Sequence, residues 1–139
     1  MIQSVDPAEL VRQGYEAFQH GGLRGWSRVL DPAVVFDMTT TGIPGLGVYR
    51  GRDEAIAFLE EWSSAFEPFE VELDEVTNID ERSALAIYSQ RGRPAVGGAP
   101  VNMRYAQIVE LGGGRIVTVR SYIDVDQARR AGELQRDPA

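Results

Sequence analysis

The side chains able to do chemistry in this chain are few. Its 139 residues include one histidine, His20, no cysteine and no lysine, so all fourteen basic residues are arginine. Without lysine there is no Schiff-base mechanism, and without cysteine there is no thiol nucleophile, thiolate metal site or disulfide framework. A single histidine cannot assemble a zinc site or a two-histidine iron triad, so no metal is expected. His20 stands just before Gly21-Gly22, where its partial positive charge suits a helix C-terminus, and a capping role accounts for it. The run Gly42-Ile43-Pro44-Gly45-Leu46-Gly47 lacks the Lys-Ser/Thr ending of a phosphate cradle. It reads as a glycine-hinged rim over a cavity entrance. Acid–base chemistry without a cofactor is the enzymatic kind compatible with this inventory.

Composition narrows the partners. A net charge of -7 and a pI near 4.7 repel phosphate backbones and anionic lipid, so neither nucleic acid nor a membrane is expected as a partner. A neutral or weakly polar small molecule suits this charge better. No segment approaches the roughly 18 apolar residues of a membrane span. Met1 to Pro7 carries no basic region followed by an apolar stretch, and cytoplasmic is the expected location. The length fits one domain over residues 1–139, with an ordered core at about 6–125 and a weakly helical C-terminal piece.

Any such chemistry needs elements to position it. Asp6-Pro7-Ala8-Glu9 starts a helix with a capping side chain, a proline at the first helical position and an acid behind it. Leu10, Val11, Gly14, Tyr15 and Phe18 continue it at helical spacing until Gly21-Gly22, and Trp26, Val29 and Leu30 mark a second, shorter helix. Ala33 to Met38 has strand character, Thr39 to Arg50 reads as loop, and a third helix runs from about Arg52 to Phe66. Phe69 to Asp74 alternates apolar with acidic residues at a strict period of two. Three longer strands follow near 83–91, 101–111 and 115–124. The order predicts an α+β fold: a curved, mixed but mostly antiparallel sheet forming a half-cone, with three N-terminal helices on its concave face.

This order resembles the SnoaL-like branch of the nuclear-transport-factor-2-like superfamily, which also holds ketosteroid isomerases, limonene epoxide hydrolases and polyketide cyclases. The resemblance rests on Leu10 to Phe18, Leu30 to Phe36, Val48 to Asp53, and Arg104 to Gln107 continuing to Gly114 to Val117. It covers roughly residues 7 to 125 and is specific for fold rather than function. It implies Asp37 as the carboxylate base on the inward face of the first strand, with pKa raised beneath Trp26, Phe58 and Trp62. Arg104 would be the charge stabiliser, paired with Asp37 or with a ligand oxygen. Gly14 and Ala106 replace the isomerase donors, and Ala106 and Ser121 replace the hydrolase acids, so neither of those activities is expected.

Two placements stay open. A shift of one residue would turn Met38 inward in place of Asp37. In the strand at 101–111, alternation of Val101, Met103, Tyr105 and Val109 assigns those residues to the core and Arg104 outside, whereas the resemblance turns Arg104 inward. On the second assignment the cavity is lined by Tyr15, Phe18, Trp26, Phe58, Trp62 and Phe66 from the helices. Ile87, Ser89, Arg91 and Ser121 line it from the sheet. Tyr88, Met103, Tyr105 and Tyr122 then form an apolar outer face, which predicts a homodimer. Two functions follow: an isomerase, cyclase or lyase acting on a carbonyl or polyketide-like compound with Asp37 and Arg104, or a non-catalytic binding or accessory module.

Overall fold

A computed structural model describes residues 5–136; the first four residues, read above for a leader, lie outside them. Helix α1 (Pro7–Trp26) starts where the capping residues place it, with the Asp6 carboxylate accepting the Glu9 N–H at 3.0 Å. The same carboxylate accepts from Asn78 Nδ2 at 2.7 Å, and Asn78 Oδ1 accepts the Ala8 N–H at 2.8 Å. Gly22, at φ 62°, breaks the helix, and a final turn brings Trp26 back beside Gly14. The expected second helix is this turn plus a 3-10 turn at Ser27–Val29. A Cβ placed on Gly25 would sit 2.0 Å from the Ala17 carbonyl oxygen, so only glycine permits the return.

The strands are β1 (Leu30–Asp37), β2 (Val48–Arg50), β3 (Phe66–Asn78), β4 (Ser83–Pro94), β5 (Val101–Gly112) and β6 (Arg115–Tyr122). Helix α2 (Arg52–Ser64) lies between β2 and β3, and α3 (Val125–Arg136) follows β6. The strands form one open, mixed sheet in the order β2-β1-β6-β5-β4-β3, with β1 parallel to β6 and every other pair antiparallel. The loop expected at 39–50 contains β2, which pairs Val48 with Asp37 and Arg50 with Val35.

The two faces have different covers. Inner-face residues Val34, Phe36, Ala84, Ala86, Tyr88, Val109 and Val119 pack with Leu10 and Val11 of α1 and Ala55 of α2. Outer-face residues Leu85, Ile87, Ala106, Ile108 and Tyr122 pack instead with Ala128 of α3 and Ile79. The expectation of three N-terminal helices on one face is therefore corrected: α1 and α2 cover the inner face, and the third helix is C-terminal and covers part of the outer one. The weak C-terminal helix is a full 12-residue element because burial of Ala128 and Gly132 supplies what propensity alone does not. Arg129 fastens it to β3 through two hydrogen bonds to the Glu75 carboxylate, at 3.3 and 3.0 Å. Among the described residues no helix is long and apolar enough to cross a membrane.

Candidate functional site

Two adjoining hollows lie between the inner sheet face and the helices, with cavity volumes of about 70 and 60 Å³. The first is bordered by Tyr15, Phe18, Trp26 and Tyr88, the second by Phe36, Met38, Phe58, Trp62 and Gln90. Leu59, Phe69, Tyr105 and Gln107 border both, so these four form the partition between them. Thr41 and Ile43 close one side of the second hollow, which places the glycine-containing segment at its rim. Gly42 and Gly45 hold left-handed conformations there, Met38 N–H donates to the Gly47 carbonyl at 3.0 Å, and Thr40 Oγ1 donates to the Ser121 carbonyl.

Of the residues expected to meet a ligand, Tyr15, Phe18 and Trp26 border the first hollow and Phe58, Trp62 and Ser121 the second. Phe66 stands one ring away, 6.2 Å from Trp62 between centroids, and borders neither. The remaining expectations are corrected. Phe36 and Met38 are both buried on the inner side, so alternation carries Asp37 to the opposite side of β1. There its Oδ1 accepts the Thr39 N–H at 2.8 Å and the Thr39 hydroxyl at 2.5 Å, a local turn cap.

Arg104 also faces outward, with its Nε 3.7 Å from Asp74 Oδ2 and its side chain 55% exposed. Ser89 donates to the same carboxylate, Arg91 pairs with Glu72 at 2.9 Å, and Ile87 is buried beneath α3. The expected Asp37–Arg104 pair therefore does not form. Tyr88, Met103 and Tyr105 turn inward, and Tyr122 is covered by α3, so the apolar outer patch behind the expected dimer is not there.

What alternation does bring inward is a set of neutral polar groups. Tyr88 and Tyr105 are register partners on β4 and β5, stacked with ring centroids 5.3 Å apart. Burial pushes both phenols well above the ordinary value of 10.0, each helped by a neighbouring tyrosine, Tyr15 for Tyr88 and Tyr88 for Tyr105. They stay protonated across the physiological range. Gln90 and Gln107, 3% and 7% exposed, are carboxamides on the same face. Trp62 Nε1 donates to Gln90 Oε1 at 3.0 Å, and Gln107 Nε2 donates weakly to Ser121 Oγ at 3.4 Å. Among the described residues no carboxylate, imidazole or guanidinium borders either hollow, and no group of side chains is arranged to hold a metal ion. His20 is exposed at the surface.

The inner residues named by neither assignment above are Gln90 and Gln107; Tyr88 was expected on the outer face, and Tyr105 was placed inside by alternation and outside by the resemblance. Their signal was the parity of Met103, Tyr105, Gln107 and Val109, which alternation alone assigns to one face.

A family model for the SnoaL-like domain matches residues 11–119. The open mixed sheet with helices against its inner face agrees with that match, and the chain belongs to the SnoaL-like family of the nuclear-transport-factor-2-like superfamily. Comparison with curated proteins found no match. Among solved structures, the chain is similar to a nuclear-transport-factor-2-like protein from Burkholderia thailandensis, at 19% identity and TM-score 0.75, covering 91% of this chain and 97% of that one. A nuclear-transport-factor-2-like protein of unknown function from Burkholderia pseudomallei is 24% identical, with TM-score 0.69 and coverage of 88% and 93%. A protein of ketosteroid isomerase-like fold from Catenulispora acidiphila, in complex with trimethylamine, is 11% identical, with TM-score 0.69 and coverage of 84% and 85%. At these identities the likeness is one of fold.

Proposed function

We propose that this chain is a binding protein for a small, largely apolar molecule, which occupies the space between the inner sheet face and α1 and α2 and leaves it chemically unchanged. The observation that carries the reading is the lining itself. Aromatic and aliphatic walls with a few neutral donors and acceptors hold and orient a ligand, whereas proton transfer near neutral pH needs a group that titrates there. The fold is compatible with isomerase or cyclase chemistry without a cofactor. The placement of Asp37 against Thr39 and of Arg104 against Asp74 weighs against that use here, since neither residue borders either hollow.

Native mass spectrometry of the purified chain is the direct test. A retained small molecule, recovered unchanged after prolonged incubation with fresh protein, is the expected result. Its steady conversion into a product of different mass or retention, at a rate proportional to protein, would overturn the binding reading.

A further inference from the structure

The four residues between the two hollows are not equivalent. Tyr105 and Gln107 belong to β5 and Phe69 to β3, so three of them are part of the sheet. Tyr105 is fixed by its stack on Tyr88 at 5.3 Å, Gln107 by its hydrogen bond to Ser121 Oγ at 3.4 Å, and Phe69 lies beside Phe66 at 6.1 Å between centroids. Leu59 is the one that descends from a helix, α2, and the one aliphatic side chain among them. Phe58 and Trp62, on the same helix, border the second hollow alone, whereas Leu59 borders both. From the helix side, the divider is thus a single isobutyl group.

The hollows, at about 70 and 60 Å³, are each less than half the roughly 150 Å³ of apolar cavity that admits a benzene ring. A ring enters either of them only by forcing Leu59 off its staggered rotamer within a packed wall, which weakens binding by about tenfold or more. Shortening residue 59 removes that obstacle and makes the two spaces continuous. The walls of the joined space, with Trp26 at one end and Phe36 and Phe58 at the other, are apolar faces against which a ring packs.

We infer that Leu59 sets the upper size of the compound this protein holds. With leucine in place each hollow takes a molecule smaller than a benzene ring, and a shorter side chain at position 59 makes of them one chamber that takes the ring. This rests on the binding reading above and adds to it a size limit and the residue that imposes it.

Two apolar probes test it on the full chain. Benzene, titrated by calorimetry, reads the size limit; xenon, followed by xenon NMR under gas pressure, reads whether the wild-type hollows admit any apolar guest. The wild type is expected to take up xenon, and Leu59→Ala to bind one equivalent of benzene at least about tenfold more tightly than the wild type does. Ile108→Val loosens the outer core and leaves the partition alone, so its benzene affinity should stay within about twofold of the wild type. Should Leu59→Ala fold poorly, Leu59→Val shortens the same side chain at a smaller cost in stability and should raise benzene affinity by at least about threefold. Xenon uptake with a benzene affinity that is equal in all chains, or that rises as far in Ile108→Val, would overturn this inference and leave the binding reading standing. No xenon uptake by the wild type would overturn both.

Discussion

Tyr88 and Tyr105 face each other across β4 and β5 with their rings 5.3 Å apart and 20° from parallel, and both are held neutral by burial. Two stacked phenols in this position contribute packing, and they also tie the fold to their protonation state. Because their folded pKa lies above the ordinary 10.0, their contribution is complete below that pH and is lost as pH rises past it, when the unfolded chain ionises first. A spectrophotometric alkaline titration is expected to show at least two of the five tyrosines ionising only together with loss of the native circular dichroism signal. Ionisation of all five with native structure intact would contradict the packing described.

Asp37 and Arg104 lie outside the hollows, and their removal should separate surface effects from ligand effects. Asp37→Asn and Arg104→Gln are expected to leave affinity for a bound apolar compound within about twofold. Each should change stability by less than about 1 kcal/mol, because asparagine keeps an oxygen for the Thr39 N–H and the arginine loses only an exposed ion pair. Calorimetric titration and urea denaturation of both variants measure this directly. A loss of binding beyond tenfold in either, with stability unchanged, would return that residue to the site.

Gly25 and Gly21 lie four residues apart and should behave oppositely. An alanine Cβ at position 25 would meet the Ala17 carbonyl oxygen at 2.0 Å, so Gly25→Ala must open the return turn and is expected to cost about 3 kcal/mol. Among the described residues nothing lies within 4 Å of a Cβ at position 21, so Gly21→Ala should be neutral or stabilising by up to about 1 kcal/mol. Chemical denaturation of the two variants, compared at constant m-value, tests the pair.

Acid should loosen α3 first. The hydrogen bond from Arg129 holds the Glu75 carboxyl below its ordinary value of 4.5, against the opposing effect of burial. Its contribution is present above that pH and disappears as pH falls through the lower folded value. Asp80 follows the same direction: burial alone would raise it, but hydrogen bonds from Arg82, Gln135 and Ser83 outweigh that. The protection of α3 amides against exchange, taken relative to their intrinsic rate at each pH, is expected to fall below about pH 4.5, ahead of that of β4 and β5. The Arg129→Met variant should show the lower protection already at neutral pH.

The elements were legible where local rules act alone. Asp6-Pro7 at the helix start, the alternation at 69–74 and the three long strands each carry a signal in a few neighbouring residues. The faces were harder. Strand β4 is buried on both sides over Ser83–Tyr88, because α3 covers Leu85 and Ile87 while α1 and α2 cover Ala84 and Ala86. Period two cannot choose a side in a strand that is apolar on both. On β5 it could: Met103, Tyr105, Gln107 and Val109 share a parity and point inward, while the register taken from the resemblance turned Arg104 the wrong way. A weakly helical tail gave no hint that it would cover the outer face, and that cover is what made the two sides look alike.

Trp26 and Trp62 are the only indoles in the chain, and the fold assigns one to each hollow. The protein thus carries its own pair of fluorescent probes, one per chamber. Replacing either by phenylalanine would leave a single emitter whose spectrum tells which chamber a guest has entered, without any label attached.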